Sequence, residues 1–341
     1  VIISKILLTF VFLNGKAKKI TNNNSIGGSI IVELLQTLKN FQDTLDVDSG
    51  RITKKPRKTG ISMVLVMDVV NQGPKYIEPF QELVDRIKLL DTLWHHDLSV
   101  VEKAVADYRN MQMNVAMGGT QFEIAKAQHG LKEYIKLLND LGINEVEVEN
   151  HASGATLQEM QDEVKMFKDE GFQVVGEVGK KWWWKDPTRI SRDLISVEKT
   201  LEQALGLIEA GADYIYWEGM IVRALVGSQL ENKKGQKQLV EVAKQIDPGK
   251  LIFEVWDDRC QPNHPIIAWL VKEFGPNVNL ANIMPWDVKT VEWIRHGIIY
   301  EMDHPYMRWS QDRSAATNWW KVDAPDYEID MQRGYVLKDS F

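Results

Sequence analysis

Carboxylates recur at the ends of short apolar runs. Glu147, Glu177, Glu218 and Glu254 lie in or beside EVEVEN (145–150), FQVVGEVG (172–179), YIYWEGM (214–220) and LIFEVW (251–256). Asp68 ends ISMVLVMD (61–68), and Asp91 lies in RIKLLDTL (86–93). Carboxylates gathered away from bulk water cannot all ionise without compensation. They need a divalent metal, buried lysines or arginines, or raised pKa values. An oxygen-rich donor set of Asp68, Glu147, Glu177, Glu218 and Glu254 favours Mg2+ or Mn2+. Lys180 and Lys181, just after the fifth run, offer counter-charge and can act as an acid or an electrophilic stabiliser.

With MNVAMGG (113–119) and VNLANIM (278–284) there are eight such runs, each followed by a helix-like stretch. Strands of this length alternating with amphipathic helices predict a parallel sheet closed into a (β/α)8 TIM barrel, whose chemistry sits at the C-terminal strand ends. The expected organisation is an N-terminal helical extension over 1–54, the barrel over 55–300 and an aromatic-rich C-terminal tail over 301–341. Side chains alternate along a strand. Glu145, Glu147 and Glu149 therefore share one face, Glu177 joins Val175, Glu218 joins Tyr216 and Tyr214, and Glu254 joins Ile252 and Trp256.

Gly118-Gly119-Thr120 with Glu123 reads as a glycine turn and a Thr-x-x-Glu capping box opening the third barrel helix, with the two glycines able to approach an anionic ligand. His95-His96-Asp97 after the second strand could place a histidine in the site. Asp91, Trp94 and His95 are expected near the substrate there. The chain has 12 tryptophans. Trp182-Trp183-Trp184 follow the fifth strand, and Trp256 ends the seventh, so an aromatic wall or a water-excluding lid is expected, with Trp182 and Trp256 as substrate contacts.

A formal charge of −7 with no long basic stripe argues against nucleic acid as partner, and KKPRK (54–58) reads as a solvated loop. The single cysteine, Cys260, excludes an intrachain disulfide and a cysteine-based zinc site, as in a reducing compartment. The apolar run Ile6–Leu13 is too short to span a bilayer and lacks the features of a signal peptide. A cytoplasmic protein with a small-molecule substrate and no membrane association is expected. Ile31, Leu34, Leu35, Leu38 and Phe41 recur at helical spacing and predict a helix over 30–45. Residues 301–341 show no sustained periodicity and are expected to pack on the barrel or on a neighbour.

The segments GISMVLVMD, GGTQFEIA, LGINEVEVEN, GFQVVGEVGKK, IEAGADYIYWEG, KLIFEV and FGPNVNLANI, followed by VEWIRHGI, resemble the phosphosulfolactate synthase family in order and content over about residues 55–300. The resemblance implies a (β/α)8 barrel and Mg2+-dependent addition of sulfite to phosphoenolpyruvate. It extends to plant heat-stress-associated proteins without assigned chemistry, and it implies a homo-oligomer. It puts Asp68, Glu147, Glu177, Lys180, Lys181, Glu218, Glu254 and Asn282 on family-like positions, Asn282 as a substrate contact. Three stretches depart from the family pattern. After strand two a lysine with Gly/Thr-rich sequence is replaced by Asp91-Thr92-Leu93-Trp94. After strand six, Glu-Gly-Arg-Glu-Ser-Gly becomes Glu218-Gly219-Met220-Ile221-Val222. After strand eight, Arg-Gly-Leu-Arg-Gly-Asp-Thr becomes Arg295-His296-Gly297-Ile298. Loss of arginine forks removes the usual grip on a phosphate dianion.

Three functions are therefore expected, in this order. The first is a metal-dependent lyase or synthase with a changed, non-phosphorylated substrate, for which a sulfonium or quaternary amine would suit the acids and tryptophans. Glu147 and Glu177 with Lys180 and Lys181 would be its catalytic groups. The second is a non-catalytic barrel that binds a ligand or client. The third is a transition-metal enzyme using His95 or His96.

Overall fold

The computed structural model describes residues 50–90, 97–150, 155–179, 197–227, 230–255 and 264–297, and the backbone of 327–330 and 334–337. Strands β1 (Ser62–Val66), β2 (Arg86–Leu89), β3 (Asn114–Met117), β4 (Glu145–Val148), β5 (Gln173–Val178), β6 (Tyr214–Trp217), β7 (Leu251–Glu254) and β8 (Leu280–Ile283) pair in parallel and in chain order, and β8 closes on β1. Each lies within one of the eight apolar runs. The connections carry helices α1 (Pro74–Ile77), α2 (Leu98–Asn110), α3 (Gly119–Ala127), α4 (Leu131–Asp140), α5 (Leu157–Asp169), α6 (Val197–Glu209), α7 (Gly219–Val226), α8 (Lys233–Ala243), α9 (His264–Phe274) and α10 (Val288–Arg295). The fold is a (β/α)8 barrel.

Alternation along the strands divides the apolar residues in two. Val64, Val66, Val146, Val148, Val174 and Val178 face the helices and join the large outer core, while Met63, Val175, Tyr216, Ile252 and Ala281 fill the barrel. Local chemistry sets the helix starts. Asp97 caps α2 by accepting from the Ser99 amide at 2.8 Å, and Thr156 with Glu159 forms a reciprocal capping box on α5. Thr120 and Glu123 do not form the expected one. The N-cap of α3 is Gly118 without a side-chain cap, and Glu123 is buried further along the helix. A Thr-x-x-Glu spacing caps only when the threonine itself is the first non-helical residue, and here the helix begins at Gly119.

The N-terminal end of the barrel is closed by charge pairs. Arg51 bonds Glu292 at 3.0 Å and the Gly60 carbonyl at 2.7 Å, and Arg295 donates to the carbonyls of Pro276 and Val278 at 2.8 and 2.6 Å. Burial alone would raise the Glu292 carboxyl, but hydrogen bonds from His296 and Arg51 and the charges of Arg51 and Arg295 bring it down to about 2. A carboxyl held below its unfolded value contributes stability above the unfolded pKa and loses it as pH falls through the folded one. Linkage makes the contribution about 3 kcal/mol. Urea titrations should show the wild type losing stability between about pH 4.5 and 2, and Glu292→Gln less stable at neutral pH with a flatter acid limb. Parallel acid limbs in the two proteins would show that Glu292 contributes nothing to acid sensitivity.

Among the described residues of the tail is an antiparallel pair that the lack of periodicity did not predict, β9 (Tyr327–Asp330) with β10 (Gly334–Leu337). The chain divides between Val47 and Asp48. The apolar run Ile6–Leu13 and the helix expected over 30–45 lie outside the described residues. No helix among the described residues is long and apolar enough to cross a membrane.

Candidate active site

The barrel interior holds charges from β2, β4, β5 and β7. Arg86 of β2 ion-pairs with Glu145 of β4 and lies 4.0 Å from the centre of the Tyr214 ring. Toward the C-terminal end, Lys88 reaches both Glu147 at 2.7 Å and Glu254 at 3.0 Å, with its ammonium 5.2 Å from the centre of the Tyr216 ring. Burial pushes the Tyr216 phenol up to about 12, with the charges of Arg86 and Lys88 opposing, so the ring is neutral.

Above Lys88 the remaining acids converge. Ligand oxygens of Glu147, Glu149 and Glu177 lie within 4.8 Å of one another, and so do those of Glu177, Glu218 and Glu254. Glu177 belongs to both groups. All five are buried, at 1–4% exposure. The donors are carboxylate oxygens throughout, which suits a hard divalent cation such as Mg2+ or Mn2+. The backbone is shaped around them. A Cβ on Gly119 would lie 2.5 Å from Glu149 Cγ, so only glycine admits that carboxylate. Gly179, at φ +103°, makes the turn out of β5, and a Cβ there would lie 3.0 Å from Glu218 Cβ. The start of α7 supplies amides, with Gly219 N–H donating to Glu254 at 3.3 Å and Met220 N–H to Glu218 at 3.3 Å.

A barrel with such a mouth has known relatives. The family model for (2R)-phospho-3-sulfolactate synthase matches residues 50–301. The chain belongs to the phosphosulfolactate synthase family. It is 32% identical over 242 residues to the phosphosulfolactate synthase of Methanocaldococcus jannaschii, covering 67% of this chain and 90% of that one. Identity is 30% over 249 residues to the enzyme of Methanothermobacter thermautotrophicus, covering 72% and 91%. The Bacillus subtilis enzyme is 28% identical over 254 residues, covering 72% and 93%.

Within this family member, the structure gathers Glu147, Glu177, Glu218 and Glu254 and adds Glu149. Asp68 is not brought into the set. Its carboxylate accepts from the Val70 and Asn71 amides at 2.8 and 3.1 Å and shapes the turn after β1. It shares the parity of Val64 and Val66, which face the helices. Gly118 and Gly119 stand at the mouth as the start of α3. Asn282 ends the barrel with a left-handed backbone, φ 57°, and is buried, its Oδ1 lacking a partner among the described residues. That residue breaks the alternation, because Ala281 faces the interior and Ile283 the helices. Asp91, Trp94, His95, His96, Lys180, Lys181, Trp182 and Trp256 lie outside the described residues.

β2 itself carries a lysine, Lys88, and the departing stretch after it lies outside the described residues. Its signal was the shared parity with Arg86, which reads as a solvated edge until the strand closes into a barrel. Arg295 ends α10 at the N-terminal end of the barrel, where it donates to the Ile61 carbonyl at 3.2 Å. The Met220-Ile221-Val222 departure does fall at the mouth, at the start of α7, where Ile221 and Val222 are buried.

Proposed function

We propose that the protein is a Mg2+- or Mn2+-dependent lyase or synthase of the phosphosulfolactate synthase type. It acts on a small carboxylate through an enolate-like intermediate, makes or breaks a carbon–sulfur or related bond, and works as a cytoplasmic homo-oligomer. The observation that carries this reading is the pair of carboxylate groups sharing Glu177 directly above the buried Lys88. Glu147, Glu177, Glu218 and Glu254, with Glu149, would hold the ion. When bound, it would offset their charge and polarise a substrate oxygen.

The chain's own groups supply the rest. Lys88 fixes Glu147 and Glu254 and places positive charge under the site. Lys180 or Lys181, next in the chain after β5, serves as the acid at the carbon next to the carboxylate. Glycines 118 and 119 leave room at the start of α3. Met220-Ile221-Val222 puts apolar side chains where the family continues with arginine, which supports a substrate without a phosphate. Acids at the strand ends also suit a substrate less anionic than a phosphate monoester, a sulfonium or quaternary amine included.

Elemental analysis, thermal shift with Mg2+, Mn2+, Zn2+ and EDTA, and deuterium exchange at C3 of pyruvate, the carbon whose proton is lost on enolisation, in D2O test this together. About one Mg2+ or Mn2+ per chain, stabilisation by that ion and metal-dependent exchange are expected. Stoichiometric zinc or iron would move the chemistry to His95 or His96. No metal, no shift and no exchange would leave a ligand- or client-binding barrel.

A further inference from the structure

We propose that the Asn282 carboxamide oxygen is a ligand of the divalent ion beside Glu254; this rests on the ion-dependent reaction proposed above. Strand β8 carries one residue more than β1 at this point. Ser62 pairs with Leu280 and Val64 with Ile283, so Ala281 and Asn282 both stand opposite Met63. Met63 and Ala281 line the barrel interior, while Leu280 and Ile283 pack outward among the helices. A bulge re-aims the side chain it inserts, and with both outward positions filled the carboxamide joins Ala281 on the inner side. Register gives its neighbour there. Glu254 pairs with Ala281, and the Val255 N–H donates to the Ala281 carbonyl at 3.0 Å. Asn282 is thus one residue beyond the partner of Glu254, on the side of the sheet that carries the Glu177–Glu218–Glu254 group.

Two properties of Asn282 go unexplained by folding alone. Its backbone is left-handed, φ 57°, a conformation that glycine adopts with less strain. Its Oδ1 is buried, in a residue only 8% exposed, and has no hydrogen bond among the described residues. Native proteins rarely leave a buried acceptor so. A carboxylate beside it also accepts, so a cation, or a donor carried by a ligand, is what satisfies it. A divalent ion fits best. Mg2+ takes six oxygens, and one from each of three carboxylates leaves positions open. A neutral carbonyl oxygen fills one of them without adding negative charge to a site already rich in it. Strain at one backbone position then holds an oxygen at a point that regular alternation would turn outward.

Calorimetry of Mg2+ binding to the full-length protein, with thermal melts in its absence, provides the test. Asn282→Gly removes the carboxamide and suits the left-handed backbone. Its metal-free melting temperature should hold or rise, while Mg2+ affinity falls about 10-fold or more. Asn282→Asp keeps an oxygen and adds a charge, so Mg2+ affinity should hold or rise while the metal-free melting temperature falls. These opposite movements separate an ion ligand from a residue that serves the bulge alone. Wild-type Mg2+ affinity in Asn282→Gly would overturn the proposal and leave the function standing. Weaker pyruvate binding by that variant at saturating Mg2+, with its Mg2+ affinity intact, would overturn it in favour of a substrate contact. A wild type that binds no divalent ion would remove the ion-dependent reading and this role with it.

Discussion

Lys88→Met should destabilise the metal-free barrel by about 3–5 kcal/mol, the usual cost of removing one partner from a buried ion pair. Methionine fills a similar volume, so the loss comes from charge rather than from a cavity. Glu147 and Glu254, each 1% exposed, lose the cation they share at 2.7 and 3.0 Å. In thermal melts a change of this size lowers Tm by about 10 °C for a chain of this class. Saturating Mg2+ should recover part of that loss, since a divalent ion held by the neighbouring carboxylates supplies the missing charge. A variant as stable as the wild type without metal would show that Lys88 does not carry the electrostatics of the mouth. A deficit that Mg2+ leaves untouched would separate the lysine from the ion site.

Glu177→Gln is the sharpest probe of the ion site, because Glu177 is the member common to both carboxylate groups. Glutamine preserves shape and removes one charge and the stronger donor. Divalent-metal affinity measured by calorimetry should fall by more than about 100-fold, beyond the loss typical of a residue that only supports a ligand. Stability of the metal-free protein should move the other way and rise by about 1 kcal/mol, since one of several clustered like charges is gone. Opposite signs in the two measurements distinguish a functional cluster from a structural one. Equal losses in both would mean that Glu177 holds the barrel together instead of a metal.

Much of this molecule is readable along the chain, because strand periodicity is a local property. Eight apolar runs with period-two alternation set the barrel, and parity alone sends Glu145, Glu147 and Glu149 inward and Val146 and Val148 outward. The same rule, applied to Val64, Val66 and Asp68, turns Asp68 away from the mouth. The tertiary structure decided the features that depend on contacts between distant residues. Lys88 becomes the partner of Glu147 and Glu254 only once β2 faces β4 and β7 across a closed barrel; in sequence they are 59 and 166 residues away. The left-handed Asn282 flips the facing of Ile283 after it, which no pattern of apolar residues announces. Thr120 and Glu123 have capping spacing but fall inside a helix, whereas Thr156 and Glu159 fall at its edge. Periodicity tells each side chain which way to face, and barrel closure alone decides which charges must then share a buried space.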